Sequence, residues 1–312
     1  MNNFLFKKIP SILIVQKRNL TTNINKENSL FKFVSIKKLI PGYKVLQENC
    51  NCYLNKLSET EKLSDPFDQV NFDKGNEEVR SEIPIFKRHL LLLDTISKDG
   101  KNHLNWISKI EKDTNFPFNV VKTIKQKNMD MMKENRTLPI MVNVLELINN
   151  KNNSDYHDAE NYQILSLPEW KIITFNKDSI KEATELLNNE KLFSNSINPN
   201  IKITNFESEK ILMVCGHNQR DRRCGIMTNE IISNKDSKEV GKYDLGVVSH
   251  IGGHKFAGNI AIYMKNKNGG DNEIKTNTIW FRHVTPEVLD LILKQLEEGK
   301  IIQEFYRGSI TF

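Results

Sequence analysis

Three observations predict an α/β fold for this chain. From Ile83 onward, apolar runs of strand length alternate with stretches whose apolar residues recur at helical spacing. The pattern is clearest after about Ile203, where strand, helix, strand, two further strands and a helix follow in that order. At 312 residues, 38% hydrophobic and 27% charged, the chain also has the length and composition for two domains of ordinary size.

The N-terminal end carries a different signal. Before the first acidic residue, Glu27, stand Lys7, Lys8, Lys17, Arg18 and Lys26, with Phe4, Leu5, Phe6, Ile9, Ile12, Leu13, Ile14 and Val15 among them. A basic, acid-free, amphipathic start is what mitochondrial import reads, and Arg18-Asn19-Leu20 before Thr21-Thr22 resembles a matrix-processing site, although Pro10 works against a helix there. Residues 1–20 are therefore expected to be a presequence, and the mitochondrial matrix the destination. Losing Lys7, Lys8, Lys17 and Arg18 would take the net charge from +6 to about +2, so the basic balance calls for no nucleic-acid partner. The longest apolar runs, Ile12 to Val15 and Leu90 to Leu93, fall far short of the roughly 20 residues that cross a bilayer, so no membrane span is expected.

Residues 21–80, rich in Asn, Lys and Glu, read as a polar extension with local structure at best. An N-terminal α/β domain is placed at 81–200. It comprises a strand at Phe86 to Asp94, a helix-like segment at Leu104 to Ile110, an apolar stretch at Leu138 to Ile148 and a strand at Trp170 to Phe175. An amphipathic helix follows at Ser179 to Leu187, with Ile180, Ala183, Leu186 and Leu187 on one face. Asn-rich loops at Asn149 to Asn161 and Asn188 to Asn200 separate these units. The C-terminal domain at 201–312 begins with a buried strand, Lys210 to Cys215, a helix at Arg223 to Ile232 and a strand at Leu245 to His250. Asn259 to Met264 and Thr278 to His283 then pair as a hairpin, and Thr285-Pro286 opens a helix to about Leu296, with Thr285 as N-cap. This order matches a thioredoxin-like module. Trp170 to Leu187 echoes Ile279 to Leu296, and Phe86 to Asp94 echoes Lys210 to Cys215, so the N-terminal half reads as a second, degenerate thioredoxin-like unit.

Chemistry concentrates at two predicted strand ends. Cys215 and Cys224 bracket a C-x8-C loop; His250 and His254 bracket an H-x3-H loop. Loops at neighbouring strand ends converge in open α/β sheets, so two thiolates and two imidazoles can meet as a four-ligand set. Gly252 and Gly253 between the histidines would let the backbone turn tightly around a bulky group and offer it unhindered N–H donors. Taken by themselves, the four residues leave two readings open. A zinc site takes the same donors, although eight residues between thiolates is a wide spacing for it. Thiol–disulfide exchange by Cys215 and Cys224 without metal, or a scaffold role, is the other. A Cys-phosphatase loop fails, because Asp221 stands where its arginine is required.

The segments MVCGHNQRDRRCG and SHIGGHKFAGN, followed by TIWFRHVTPE, resemble the sucrase/ferredoxin-like group of thioredoxin-fold ferredoxins. The likeness is strong over about residues 205–312 and loose from about 80 onward. It implies a [2Fe–2S] cluster held by Cys215, Cys224, His250 and His254. Imidazoles replace two thiolates in Rieske centres and raise the potential. With two thiolates and two neutral imidazoles the oxidised cluster has a formal charge of zero, and histidine ligands would make the potential fall as pH rises. The expected role is one-electron transfer or redox homeostasis with an unidentified redox protein, rather than substrate turnover, since no acid–base or nucleophile arrangement is visible.

Around these ligands, His217 is a candidate hydrogen-bonding neighbour or alternative ligand, with a solvent-facing position as the plainer account. Arg220 and Arg222, with Arg223, could balance the charge of a reduced cluster or meet an acidic partner. Lys255 and Asn259 are expected to fix the loop, His283 to end a strand, and Trp106, Trp170, Trp280 and Phe281 to pack in cores. Cys50 and Cys52 are expected to be reduced surface thiols. His89, His103 and His157 have no partner by spacing.

Overall fold

The computed structural model describes residues 31–40, 82–94, 101–135, 138–148, 160–189, 198–233, 235–253, 256, 258–266 and 275–312. In chain order these form β1 (Lys32–Val34), α1 (Ile36–Leu39), β2 (Arg88–Leu93), α2 (Asn119–Asn135), β3 (Ile140–Leu147), β4 (Tyr162–Leu167), β5 (Lys171–Phe175), α3 (Ile180–Asn188) and β6 (Ile201–Asn205). There follow β7 (Lys210–Cys215), α4 (Arg222–Ser233), β8 (Asp244–Val248), β9 (Ile260–Asn266), β10 (Lys275–Phe281), α5 (Pro286–Glu297), β11 (Lys300–Ile302) and β12 (Tyr306–Thr311).

A strand reading RHLLLL has no polar face, so it belongs where both faces are covered. β2 accordingly lies inside a ten-stranded mixed sheet ordered β12-β10-β9-β7-β8-β3-β2-β4-β5-β6. The order is a palindrome of pairings. β2 is parallel to β3 and antiparallel to β4, and β7 is parallel to β8 and antiparallel to β9. Each parallel pair is bridged by one long helix, α2 in the first half and α4 in the second. The halves join where β3 meets β8 antiparallel over three residue pairs, Leu145 opposite Val248, Glu146 opposite Val247 and Leu147 opposite Gly246. Asp94 N donates to Leu145 O just as Gly216 N donates to Val248 O, so Leu93 occupies in the first half the place that Cys215 has in the second.

Alternation along the central strands sorts their side chains between two layers. Leu90 and Leu92 pack under α2 and α3, while Leu212 and Val214 pack under α4 and α5. Leu91, Leu93, Ile211, Met213 and Cys215 share one inner core, which the two halves of the curled sheet close between them. Contacts across it include Trp170 Nε1 donating to Thr276 Oγ1 at 2.9 Å and the rings of Phe86 and Trp280 at 6.2 Å. Burying one of these leucines contributes roughly 1.5–3 kcal/mol.

Several elements depart from the sequence-based expectations. The helix-like stretch Leu104 to Ile110 is two short 3-10 turns, Asn102–Leu104 and Ile110–Lys112, because Asn102 N and His103 N are drawn to the Glu146 carboxylate. The 17-residue α2 is masked by its polar sequence, in which Val120, Val121 and Ile124 supply the buried face. β4, β6, β11 and β12 are further strands beyond those expected. Thr285 sits at the N-cap of α5, but its carbonyl, not its hydroxyl, accepts from Val288 N and Leu289 N. Within the polar extension, residues 31–40 are ordered. β1 runs parallel to β11, Ile36 is fully buried, and Ser35 Oγ and Ile36 N both donate to the Glu304 carboxylate.

The β3–β8 junction leaves no room for side-chain growth. A Cβ on Gly246 would lie 2.6 Å from Leu145 Cδ1 and 3.2 Å from Glu146 O. Gly246→Val is expected to cost about 1–3 kcal/mol by overpacking, read as a lower midpoint in urea unfolding.

Candidate metal centre

The site begins at the C-terminal end of β7. Cys215 N donates to Asn259 O at 2.9 Å, and Cys215 O accepts from Thr228 Oγ1 at 2.8 Å. Glycine must follow, since a Cβ at 216 would lie 2.3 Å from Val247 Cγ1. The chain turns with Arg220 N and Asp221 N both donating to His217 O, then enters α4. Asp221 caps that helix: its Oδ1 accepts from Arg223 N at 3.1 Å, and its carboxylate takes Arg223 Nη2 at 2.9 Å. Burial pushes the Asp221 carboxyl up, but the hydrogen bonds and charge of Arg223 outweigh it and hold the group below its ordinary pKa. Cys224 thereby falls in the first turn of α4.

Cys215, Cys224 and His250 offer donor atoms that all lie within 4.8 Å of one another, with Cys215 Sγ 3.8 Å from His250 Nδ1. Both sulfurs are fully buried and neither is in a disulfide. Their acidities are split. The hydrogen bond from Cys224, helped by His250 against burial, holds the Cys215 thiol well below its ordinary value, while the same bond and burial push Cys224 well above it. Cys215 is thus the more acidic thiol of the pair and Cys224 the less acidic. Two soft sulfurs and an imidazole, poised in this way, suit zinc or an iron–sulfur cluster far better than a hard cation.

His254 and Lys255 lie outside the described residues, as do Cys50, Cys52 and His157. Gly252 and Gly253 both adopt positive φ, +84° and +77°, a conformation that side-chain-bearing residues rarely take. Asn259 is fully buried and ties the loop together, with Nδ2 donating to Phe256 O at 2.5 Å and Oδ1 accepting from Arg307 Nη1 at 3.3 Å. Arg220 and Arg222 are exposed. His283 is buried, with its ring edge-on to Phe256 at 5.3 Å.

His217 is only 3% exposed, contrary to the solvent-facing position its charged flanks foreshadow. Its ring stands edge-on to Trp106 at 6.0 Å, its Nε2 donates to Ile107 O at 2.9 Å, and its Nδ1 accepts from His250 N at 3.3 Å. Burial holds it below the ordinary histidine pKa, which keeps the ring in the neutral form this bonding needs.

A second support has no signature in the sequence. Asn143 Nδ2 donates to Ser249 Oγ at 2.9 Å and to the carbonyls of Ser249 and His250, each at 3.1 Å. Asn143 Oδ1 in turn lies 3.1 Å from His89 Nε2, and His89 Nδ1 lies 2.9 Å from Tyr263 Oη. The bonding fixes the tautomer: His89 donates from Nε2 and accepts at Nδ1. No spacing rule finds partners 54 and 174 residues away. His103 likewise pairs with Glu146, Nδ1 to Oε2 at 2.7 Å, with both side chains buried.

The fold and site define a class: a sheet-dominated α/β protein with two buried cysteine sulfurs and an imidazole gathered at a strand end. Comparison with known proteins places the chain in a family. The sucrase/ferredoxin-like family matches residues 80–308, and the chain belongs to that family. It is similar to three proteins named altered inheritance of mitochondria protein 32. The one from Kluyveromyces lactis is 30% identical over 296 residues, covering 85% of this chain and 86% of the relative. Those from Candida glabrata and Saccharomyces kudriavzevii are each 27% identical, covering 84% and 90% of this chain and 88% and 94% of theirs. No solved structure matches.

Two predictions test the supports. Burial moves the His89 pKa from 6.5 to about 4, so between those values the unfolded chain holds a proton that the folded chain does not. Stability should therefore fall as pH drops from about 6.5 to 4, by about 3 kcal/mol in all, and His89→Gln should flatten that slope in denaturant titrations. His217→Phe, which leaves His250 N and Ile107 O without their partner, should cost roughly 1–3 kcal/mol in metal-free protein, measured by urea unfolding.

Proposed function

We propose that the chain is a mitochondrial one-electron carrier that holds a [2Fe–2S] cluster through Cys215, Cys224, His250 and His254. The observation that carries this reading is the convergence of two buried, unbridged sulfurs and the His250 imidazole within 4.8 Å. The described donors fit such a group: soft, buried and not tied up in a disulfide. Bound there, the cluster would supply reversible one-electron chemistry. Support for a mitochondrial location comes from the basic N-terminal sequence and from the names of the relatives. The mirrored pairing of the sheet supports reading each half as a thioredoxin-like unit. Leu93 in the place of Cys215 then accounts for a single centre, in the C-terminal half.

The chain's own residues have three tasks here. Asp221 and the first turn of α4 present Cys224; Asn143 and His217 clamp the backbone on either side of His250; Gly252 and Gly253 let the chain pass close to the centre. None of these offers a nucleophile or proton donor to an organic substrate, which favours a carrier over an enzyme of turnover.

Anaerobically purified protein should contain two irons and two acid-labile sulfides per chain and be red-brown, bleaching with dithionite. His250→Ala combined with His254→Ala should abolish both contents. Colourless protein carrying stoichiometric zinc would establish the zinc reading instead. The midpoint potential should decrease from neutral to alkaline pH in a spectroelectrochemical titration.

A further inference from the structure

Arg307 is a buried charge that the ligand set leaves unexplained. It stands on β12, only 3% exposed, and among the described residues no carboxylate pairs with it. Its Nη1 reaches Asn259 Oδ1 at 3.3 Å, its Nε has no hydrogen-bond partner, and its guanidinium carbon lies 5.3 Å from the Trp280 ring centre and 5.7 Å from that of Phe256. The neighbouring Arg282 takes the nearby carboxylate, Glu82, at 3.3 Å. Burying a cation with no paired carboxylate among the described residues is costly, so a negative charge arising at the neighbouring centre would lower that cost.

The geometry says where that charge would lie. A Cβ on Gly253 would sit 2.6 Å from Arg307 Nη2, and one on Gly252 3.9 Å from it, so the guanidinium fills the space that the two glycines vacate beside the ligand loop. Burial, the largest effect, leaves the Arg307 pKa below the ordinary arginine value, while the charges of Cys215, Glu82 and Cys224 raise it. Arg307 thus stands where negative charge on the Cys215 or Cys224 sulfur acts on it, with Glu82 already engaged by Arg282.

We propose that Arg307 is the counter-charge of the reduced centre, a positioning residue that makes the electron easier to accept. The proposal rests on the cluster reading above. With Cys215 and Cys224 as thiolates and both histidines neutral, the oxidised centre sums to zero formal charge. One electron from a donor protein, with no atom transferred, leaves one negative charge. Arg307 is matched only in that reduced state, so its stabilisation is differential and must appear in the potential.

The test uses the full-length, cluster-loaded protein and its Arg307→Gln and Arg307→Lys variants, titrated with dithionite and mediators while iron and sulfide are assayed. Arg307→Gln should retain iron and sulfide yet be at least tenfold more oxidised where the unmodified protein is half reduced, a midpoint lower by about 59 mV for one electron. Arg307→Lys, which keeps the charge, should return most of that shift. An unchanged midpoint in a fully loaded Arg307→Gln protein would overturn the role of Arg307 and leave the cluster intact. Absence of iron and sulfide from the unmodified protein would remove the cluster reading and this proposal together. Should Arg307→Gln fail to load, Arg307→Lys decides: loading with a near-normal midpoint upholds the counter-charge, whereas failure of both variants assigns Arg307 to loop packing and overturns it.

Discussion

The short antiparallel junction between β3 and β8 is the contact through which the rest of the molecule is organised. Three residue pairs join two half-sheets of the same pairing pattern, and because β8 ends at Val248 the join also delivers His250 to the first half of the chain. Asn143 on β3 then reaches the carbonyls of Ser249 and His250, and the Ile107 loop reaches His217. A ligand set drawn from one half is thus held by hydrogen bonds from the other. These cross-half bonds are buried or partly buried, so loosening the junction would disturb the site as well as the sheet.

The inner core sets the chemical character of the centre. Cys215 and Cys224 lie at 0% exposure among Met213, Ile251 and Trp280, and a thiolate there lacks water to stabilise it. Its stabilisation must come from fixed partners: the Cys224 hydrogen bond, His250, the backbone of Ile251 and the charge of Arg307. Only the last is a permanent charge. A buried cation on one side and two buried sulfurs on the other set this strand end apart from ordinary core packing.

The residue composition of the site is legible in the amino-acid sequence because its signal is local. Strand ends at Cys215 and near His250, the loop glycines and the entry into α4 follow from apolar runs, capping residues and spacing within about 40 positions of one another. β2 and β7 are equally legible as unbroken apolar runs. Helix α2 is not, since Lys, Gln and Asn dilute its buried face, and the Leu104 segment misleads because an apolar spacing shared with helices is overridden by the Glu146 carboxylate.

What primary structure settled on its own was the kind of donor atoms present and the segments that carry them, since side-chain chemistry and short-range periodicity are written into neighbouring residues. Whether those donors meet, and which groups tune them, depended on pairing across the sheet. His89, Asn143 and Arg307 look ordinary in their own segments. Each acquires its part only when segments 48 to 174 residues apart are brought together by the folded sheet.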